Sequence, residues 1–111
     1  SLEQVEAFIR SLDGIFILAH VDKSRDSVIS QLGFIPFDLK PDSLEISARC
    51  DHSQLLQTHK YLSKYRFIRS SDAHYQEDFL SSGCTFHIRE LTFAEVAMAL
   101  RGQEGRFVSL D

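Results

Sequence analysis

Hydrophobic and polar positions recur along this chain in two periods, and the switches between them divide it into helices and strands. Leu2, Val5, Phe8, Ile9 and Leu12 repeat at helical spacing, and Asp13-Gly14 stops that helix. Ile15–Ala19 is an apolar run, β-branched and aromatic, that predicts a buried strand ending at His20. Residues 21–26 are polar and predict a loop. Ser27–Leu32 predicts a short helix closed by Gly33, and Phe34–Asp42 is irregular, with Pro36 and Pro41 as breakers. Leu44–Ser47 predicts the next strand. Asp51 followed by Gln54 is a capping-box pattern that opens a helix over 52–64. Arg66–Arg69 predicts a third strand, which runs into Ser71-Asp-Ala-His, and Thr85–Ile88 a fourth, with Cys84 at its entry. Thr92 and Glu95 form a second capping box, with Leu91 and Val96 spaced for a hydrophobic staple. That helix runs to Gly102, and Arg106–Leu110 is a last short strand.

Strands alternating with helices at this spacing predict an α/β fold. We expect a mainly parallel sheet of about five strands with right-handed crossover helices. No internal repeat, low-complexity stretch or linker divides residues 1–111, so a single domain is expected. Such sheets place their sites at the carboxyl ends of strands. His20 closes one apolar run there, and Asp72 and His74 follow another. In an Asp-x-His pair on a strand end, carboxylate and imidazole point to one side, because strand side chains alternate. A neighbouring strand that ends in histidine adds a third donor.

Composition narrows the class. The 111 residues are 43% hydrophobic and 25% charged, which suits a globular domain and argues against disorder. Nothing resembles a signal peptide or a membrane span, since Ile15–Ala19 is far too short, so the expected setting is the cytoplasm. Cys50 and Cys84 have no Cys-x-x-Cys spacing, which argues against a zinc ribbon, a thioredoxin motif and a structural disulfide. A formal net charge of −4 makes nucleic acid an unlikely partner on bulk electrostatics. The densest basic stretch, Lys60, Lys64, Arg66 and Arg69 with Tyr61 and Tyr65 interleaved, would suit a clamp on a single strand. A solvated helix face accounts for it more simply.

Three segments carry a resemblance: Gly14-Ile-Phe-Ile-Leu-Ala-His20, Asp42-Ser-Leu-Glu-Ile46 and Phe67-Ile-Arg-Ser-Ser-Asp-Ala-His74. Together they resemble the later part of the PHP (polymerase and histidinol phosphatase) domain, a superfamily of metal-dependent phosphoesterases. In that family the third motif is a strand ending in Ala-His and the fourth is Ser-Asp-x-His. The resemblance implies that His20, Asp72 and His74 are metal ligands, for zinc, manganese or iron. The family usually has proline after the third-motif histidine, where Val21-Asp22 stands here. The family's first motif, His-x-His, and its second, with further histidine and glutamate ligands, have no counterpart. The resemblance therefore implies a carboxyl-terminal portion of a PHP-like domain, whose complete form is a distorted seven-stranded α/β barrel. The implied activity is hydrolysis of a phosphate ester by metal-activated water.

The donor set fits that chemistry only in part. Imidazole and carboxylate suit all three metals, but phosphoester hydrolysis typically uses about two ions 3.5–4 Å apart. Three ligands do not hold such a cluster, so the isolated chain is expected to be inactive and its metal position open. Alternatives remain for each residue. Asp72 and His74 also suit an Asp-stabilised turn, and His20 suits a hydrogen-bonded core position. Ser71, Asp72 and His74 are too close in sequence to point at one another as a nucleophilic triad. Glu45 alternates against Leu44 and Ile46, where it would orient a ligand histidine from behind or face the gap left by absent strands. Lys23 and Arg25, with Asp22, follow His20 in the loop where a phosphate would arrive, or they are simply solvated. His52 and His59, two turns apart, are too distant to share a metal, and His87 has no obvious partner. Phe34, Phe37 and Phe79 are expected in the core. The competing function is a non-catalytic assembly piece that pairs with an amino-terminal half or with a second copy of itself, because a half-barrel leaves strand edges and apolar faces uncovered.

Overall fold

The computed structural model describes residues 1–24, 27–71, 74–78 and 83–111. The elements run in the order α1 (Leu2–Ser11), β1 (Ile17–Leu18), α2 (Val28–Leu32), β2 (Ser43–Ile46), α3 (His52–Thr58), β3 (Phe67–Arg69), β4 (Cys84–His87), α4 (Phe93–Arg101) and β5 (Phe107–Leu110). The α/β class holds, and the described residues form five strands in two sheets. The strands β1, β2 and β3 lie side by side in that order, all parallel. Strands β4 and β5 form a separate antiparallel pair, Cys84 opposite Leu110 and His87 opposite Phe107, with β5 packed beside β3.

Alternation along the parallel strands sorts the core. Leu18, Leu44, Ile46 and Phe67 turn to one face and are buried there with Phe16, Val21, Ile35, Leu39 and Leu62. Leu44, Ile46 and Leu62 expose 0% of their surface. Ile17, Ser43, Glu45 and Ile68 lie on the other face. There Ser43 donates its hydroxyl to the Leu100 carbonyl at 3.0 Å, which ties β2 to the last turn of α4.

Strand β1 has only two residues in the ladder because carboxylates take over at both of its ends. At the amino end the Phe16 N–H donates to the Asp42 side chain at 2.8 Å. At the carboxyl end the His20 N–H donates to the Glu45 side chain at 2.8 Å. Asp42 also accepts from Arg10 of α1 at 2.7 Å and Arg101 of α4 at 2.8 Å. One buried carboxylate thus joins two helices to the sheet. Burial pushes its pKa up, but the bonds from Phe16, Arg10 and Arg101 outweigh that and leave it below the ordinary aspartate value.

The helix ends follow their capping residues. Ser27 accepts from the Ser30 N–H, and Gly33 closes α2 at φ 81°. Thr92 accepts from the Glu95 N–H, and Gly102 closes α4 at φ 64°. The second half of that capping box is absent, because the Glu95 carboxylate turns instead to the Arg89 N–H and to Arg106. Leu91 is 91% exposed, so the staple does not form. The single helix expected over 52–64 is broken. The Thr58 hydroxyl bonds back to the Gln54 carbonyl at 3.1 Å, a contact that bends helices. His59 leaves the helical region, and Lys60–Lys64 continues as a 3₁₀ turn that buries Leu62. Phe34 and Phe37 are exposed rather than in the core, because the turns on either side of Ile35 put Ile35 and Leu39 inward instead; Phe79 lies outside the described residues. The α1 stripe also stays largely open. Only Leu2 and Ile9 pack on the core, while Val5, Phe8 and Leu12 are exposed.

Candidate functional site

The carboxyl edge of the parallel sheet is organised by Glu45. Its place in the middle of β2, on the face opposite Leu44 and Ile46, sets it between the ends of β1 and β3. One carboxylate oxygen accepts the His20 N–H at 2.8 Å, and the other accepts the Ser70 hydroxyl. The Glu45 carbonyl also accepts the Val21 N–H at 2.9 Å. A single side chain therefore holds together the end of β1, where His20 stands, and the end of β3, which leads to Ser71 and His74.

His20 itself adopts a positive φ of 31°. That is an uncommon conformation for a residue with a side chain, and the Glu45 bond to its N–H fixes it. Its imidazole Nδ1 lies 3.7 Å from the Glu45 carboxylate, and its side chain is 23% exposed. The Glu45 carboxylate thus lies beside the His20 ring as well as on its backbone N–H. The loop that follows is tied back as well. Asp22 accepts the Ser47 N–H at 2.8 Å and the Ser47 hydroxyl at 3.1 Å, which joins the β1 loop to the end of β2. Lys23 is exposed and donates its N–H to the His20 carbonyl at 3.0 Å.

His74 is exposed. Asp72 and Arg25 lie outside the described residues. Among the described residues no three His, Cys, Asp or Glu side chains gather closely enough to hold a metal ion. Histidine and carboxylate suit a divalent ion chemically, and of the three residues expected to hold one, His20 and His74 are described.

A second polar cluster lies beside this edge. Arg69 on β3 donates from Nη1 to the carbonyls of Ser47, Ala48 and Cys50, at 3.1, 3.1 and 2.7 Å, and so shapes the loop after β2. The His52 ring meets Phe67 edge-on at 4.5 Å. Its Nε2 and the Arg69 Nε are buried with no hydrogen-bond partner among the described residues. Burial, then the Arg69 charge, pushes the His52 pKa down. Burial likewise pushes the Cys50 thiol up, which makes it a poor nucleophile. His87 does find partners, for it stacks on Phe107 at 4.1 Å and bonds Ser109 at 2.9 Å.

Ser70 was not singled out by motif, and Asp22 and Arg69 were named only as a loop residue and as part of a basic stretch, not for the loop bonds they make. Ser70 was within reach of the alternation rule, since with Ile68 facing Glu45's side, the residue two further along faces it too. Asp22 and Arg69 act on loop backbone and carry no spacing signal.

No protein-family model matches this chain, and no curated protein matches it. Solved structures do. The lesion-specific endonuclease PfuEndoQ from Pyrococcus furiosus superposes with a TM-score of 0.84 and 22% identity, over 97% of this chain and 28% of that one. Endonuclease Q in complex with a 27-mer duplex substrate, with an abasic lesion at the active site, superposes with a TM-score of 0.81 and 22% identity, over 96% of this chain and 28% of that one. The fold is shared, and this chain spans less than a third of the length of those enzymes.

Proposed function

We propose that this chain is part of a PHP-type, metal-dependent phosphoesterase, to which it contributes His20, Asp72 and His74 as metal ligands. The observation that carries the reading is the Glu45 bridge. It gathers the ends of β1 and β3, the two segments that bear the motif-like histidines, at the carboxyl edge of the sheet. The fold adds support, since endonuclease Q belongs to the PHP superfamily. A divalent ion held there would neutralise phosphate charge and activate a water for in-line attack. The chain's own residues would do the rest. Glu45 would orient the His20 ring, Ser70 would hold Glu45, and Lys23 and Arg25 would meet the phosphate. Ligands that complete the cluster would come from polypeptide outside these 111 residues.

The substrate class proposed is a phosphodiester. The net charge of −4 argued against nucleic acid, but it sums the whole surface, whereas binding depends on the local field at the groove. A protein of this fold is complexed with a 27-mer duplex substrate, so nucleic acid returns as a candidate substrate.

Metal content of the purified chain, by elemental analysis after dialysis against zinc, manganese or iron, tests the ligand set. A bound ion that is lost in His20→Ala and His74→Ala supports the reading. Metal retained equally by both variants, or absent from all three proteins even when the chain is mixed with the rest of its domain, would refute it.

One feature favours a second reading, that of an assembly piece without catalysis. The second face of the parallel sheet opens on an apolar groove of about 610 Å³, lined by Ile9, Ile17, Ile68, Phe86 and Val96 among others. Concentration-dependent sedimentation, with an Ile68→Lys control, distinguishes self-association through this groove from a monomeric chain.

A further inference from the structure

The basic stretch around Lys64 and Arg66 acquires a partner in the fold that its sequence does not indicate. Because Lys60–Lys64 is a 3₁₀ turn and not a continuing helix, the chain folds sharply into β3 and sets Lys64 and Arg66 beside the end of α4. Lys64, Arg66 and Arg101 converge on a cavity of about 210 Å³ at the amino edge of the parallel sheet, the edge opposite Glu45. Asp42 is the one carboxylate among the described residues that line it. That carboxylate is already occupied by Arg10 at 2.7 Å and Arg101 at 2.8 Å.

The cations are held in place by bonds that leave donors over. Arg66 uses Nε on the Arg101 carbonyl at 2.9 Å, and Arg101 uses Nε on Asp42. The terminal nitrogens of a guanidinium so anchored form a fixed fork suited to a phosphate oxyanion. Lys64 Nζ sits 5.2 Å from the centre of the Tyr65 ring, which restrains it at the rim. Tyr61, 38% exposed, stands on the same turn. Within a chain of net charge −4 this is a local concentration of positive charge around a polar cavity.

We propose that this cavity is a phosphate-oxyanion site, separate from the proposed metal edge. Its ligand is either the backbone phosphate of a nucleic acid or a free phosphate group.

The test uses the full chain with two probes: inorganic phosphate followed by amide NMR shifts, and a fluorescent duplex followed by anisotropy across a salt series. The variants are Lys64→Gln, Arg66→Gln and, as a control at the other edge, His74→Ala, each checked for folding by circular dichroism. The expected result is phosphate-dependent shifts at residues 64–67 and 101–102 that survive His74→Ala and fall several-fold in affinity in Lys64→Gln and Arg66→Gln. If a polynucleotide is the ligand, each of those two variants also lowers the slope of log affinity against log salt by about one. Phosphate shifts without a change in duplex slope assign the site to free phosphate. If Lys64→Gln, which alters only an exposed side chain, leaves phosphate and duplex binding both unchanged, or if the shifts map elsewhere, the proposal is overturned. Loss of metal binding at the other edge would leave these readouts intact, so the two readings fail separately.

Discussion

Glu45 fixes the backbone of His20, accepting its N–H at 2.8 Å where the ladder partner of a longer strand would stand. His20 is left-handed there, so the bond stabilises a conformation that costs on the order of 1–3 kcal/mol. Replacing Glu45 by Ala strands the His20 N–H and the Ser70 hydroxyl together. The expected loss is about 1–3 kcal/mol in urea unfolding. Glu45→Gln keeps one acceptor and should lose less. Hydrogen exchange at the His20 amide gives the specific readout. Protection should collapse in Glu45→Ala and largely persist in Glu45→Gln, and equal protection in all three proteins would contradict the clamp.

At the opposite edge, Asp42 predicts an acid-sensitive fold. Its folded pKa lies below the ordinary aspartate value, so the unfolded chain binds a proton more readily. The stability it contributes is fully present above about pH 4, the unfolded value, and is lost as pH falls through the folded pKa. Asp42→Asn removes the charge that faces Arg10 and Arg101. It should cost about 2–3 kcal/mol at neutral pH and flatten the acid limb of a stability profile measured by denaturant titration. An unchanged acid limb would assign the acid sensitivity to other carboxylates.

His52 adds a second pH dependence at milder acidity. Its pKa is depressed by burial and by the Arg69 charge, so protons favour the unfolded chain in this window as well. Its contribution is intact above about pH 6.5 and declines as pH falls toward the folded pKa. His52→Leu, which fills the contact with Phe67, should remove up to one proton of linkage from that window. Arg69→Gln should raise the His52 pKa in an NMR titration. A His52 that titrates identically with and without Arg69 would rule out the charge contribution.

The pattern of apolar positions was enough to place the elements, because burial on a sheet and on a helix imposes distinct periods. Leu18, Leu44 and Phe67 come out on one face for that reason. Helix ends were legible wherever one residue decides them, as at Ser27, Gly33, Thr92 and Gly102. Three things were not. The break after Thr58 falls where the sequence carries no glycine or proline, and the Thr58 hydroxyl bond one turn back is a choice open to any helical threonine. The division of five strands into two sheets depends on which edges meet, and the local pattern does not encode that. The roles of Asp42 and Arg69 depend on partners distant in sequence. At the candidate site the order of the segments was legible in the sequence, whereas the Glu45 bonds to the His20 N–H and the Ser70 hydroxyl each join residues 25 apart and carry no local signal.

The two helix-closing glycines offer a comparison within one protein. Gly33 and Gly102 both lie in the left-handed region, at φ 81° and 64°, where alanine costs roughly 1–2 kcal/mol. Their surroundings differ. A Cβ on Gly33 meets nothing within 4 Å, whereas on Gly102 it would collide with the Arg66 guanidinium carbon. That side chain would have to swing away, breaking its 2.9 Å bond to the Arg101 carbonyl. Gly102→Ala should therefore cost about 1 kcal/mol more than Gly33→Ala. The excess should vanish when both glycine variants are made in an Arg66→Ala background, since the clash and the bond are then already gone. An excess that persists without Arg66 would mean that the close approach at Gly102 is governed by backbone and not by this side chain.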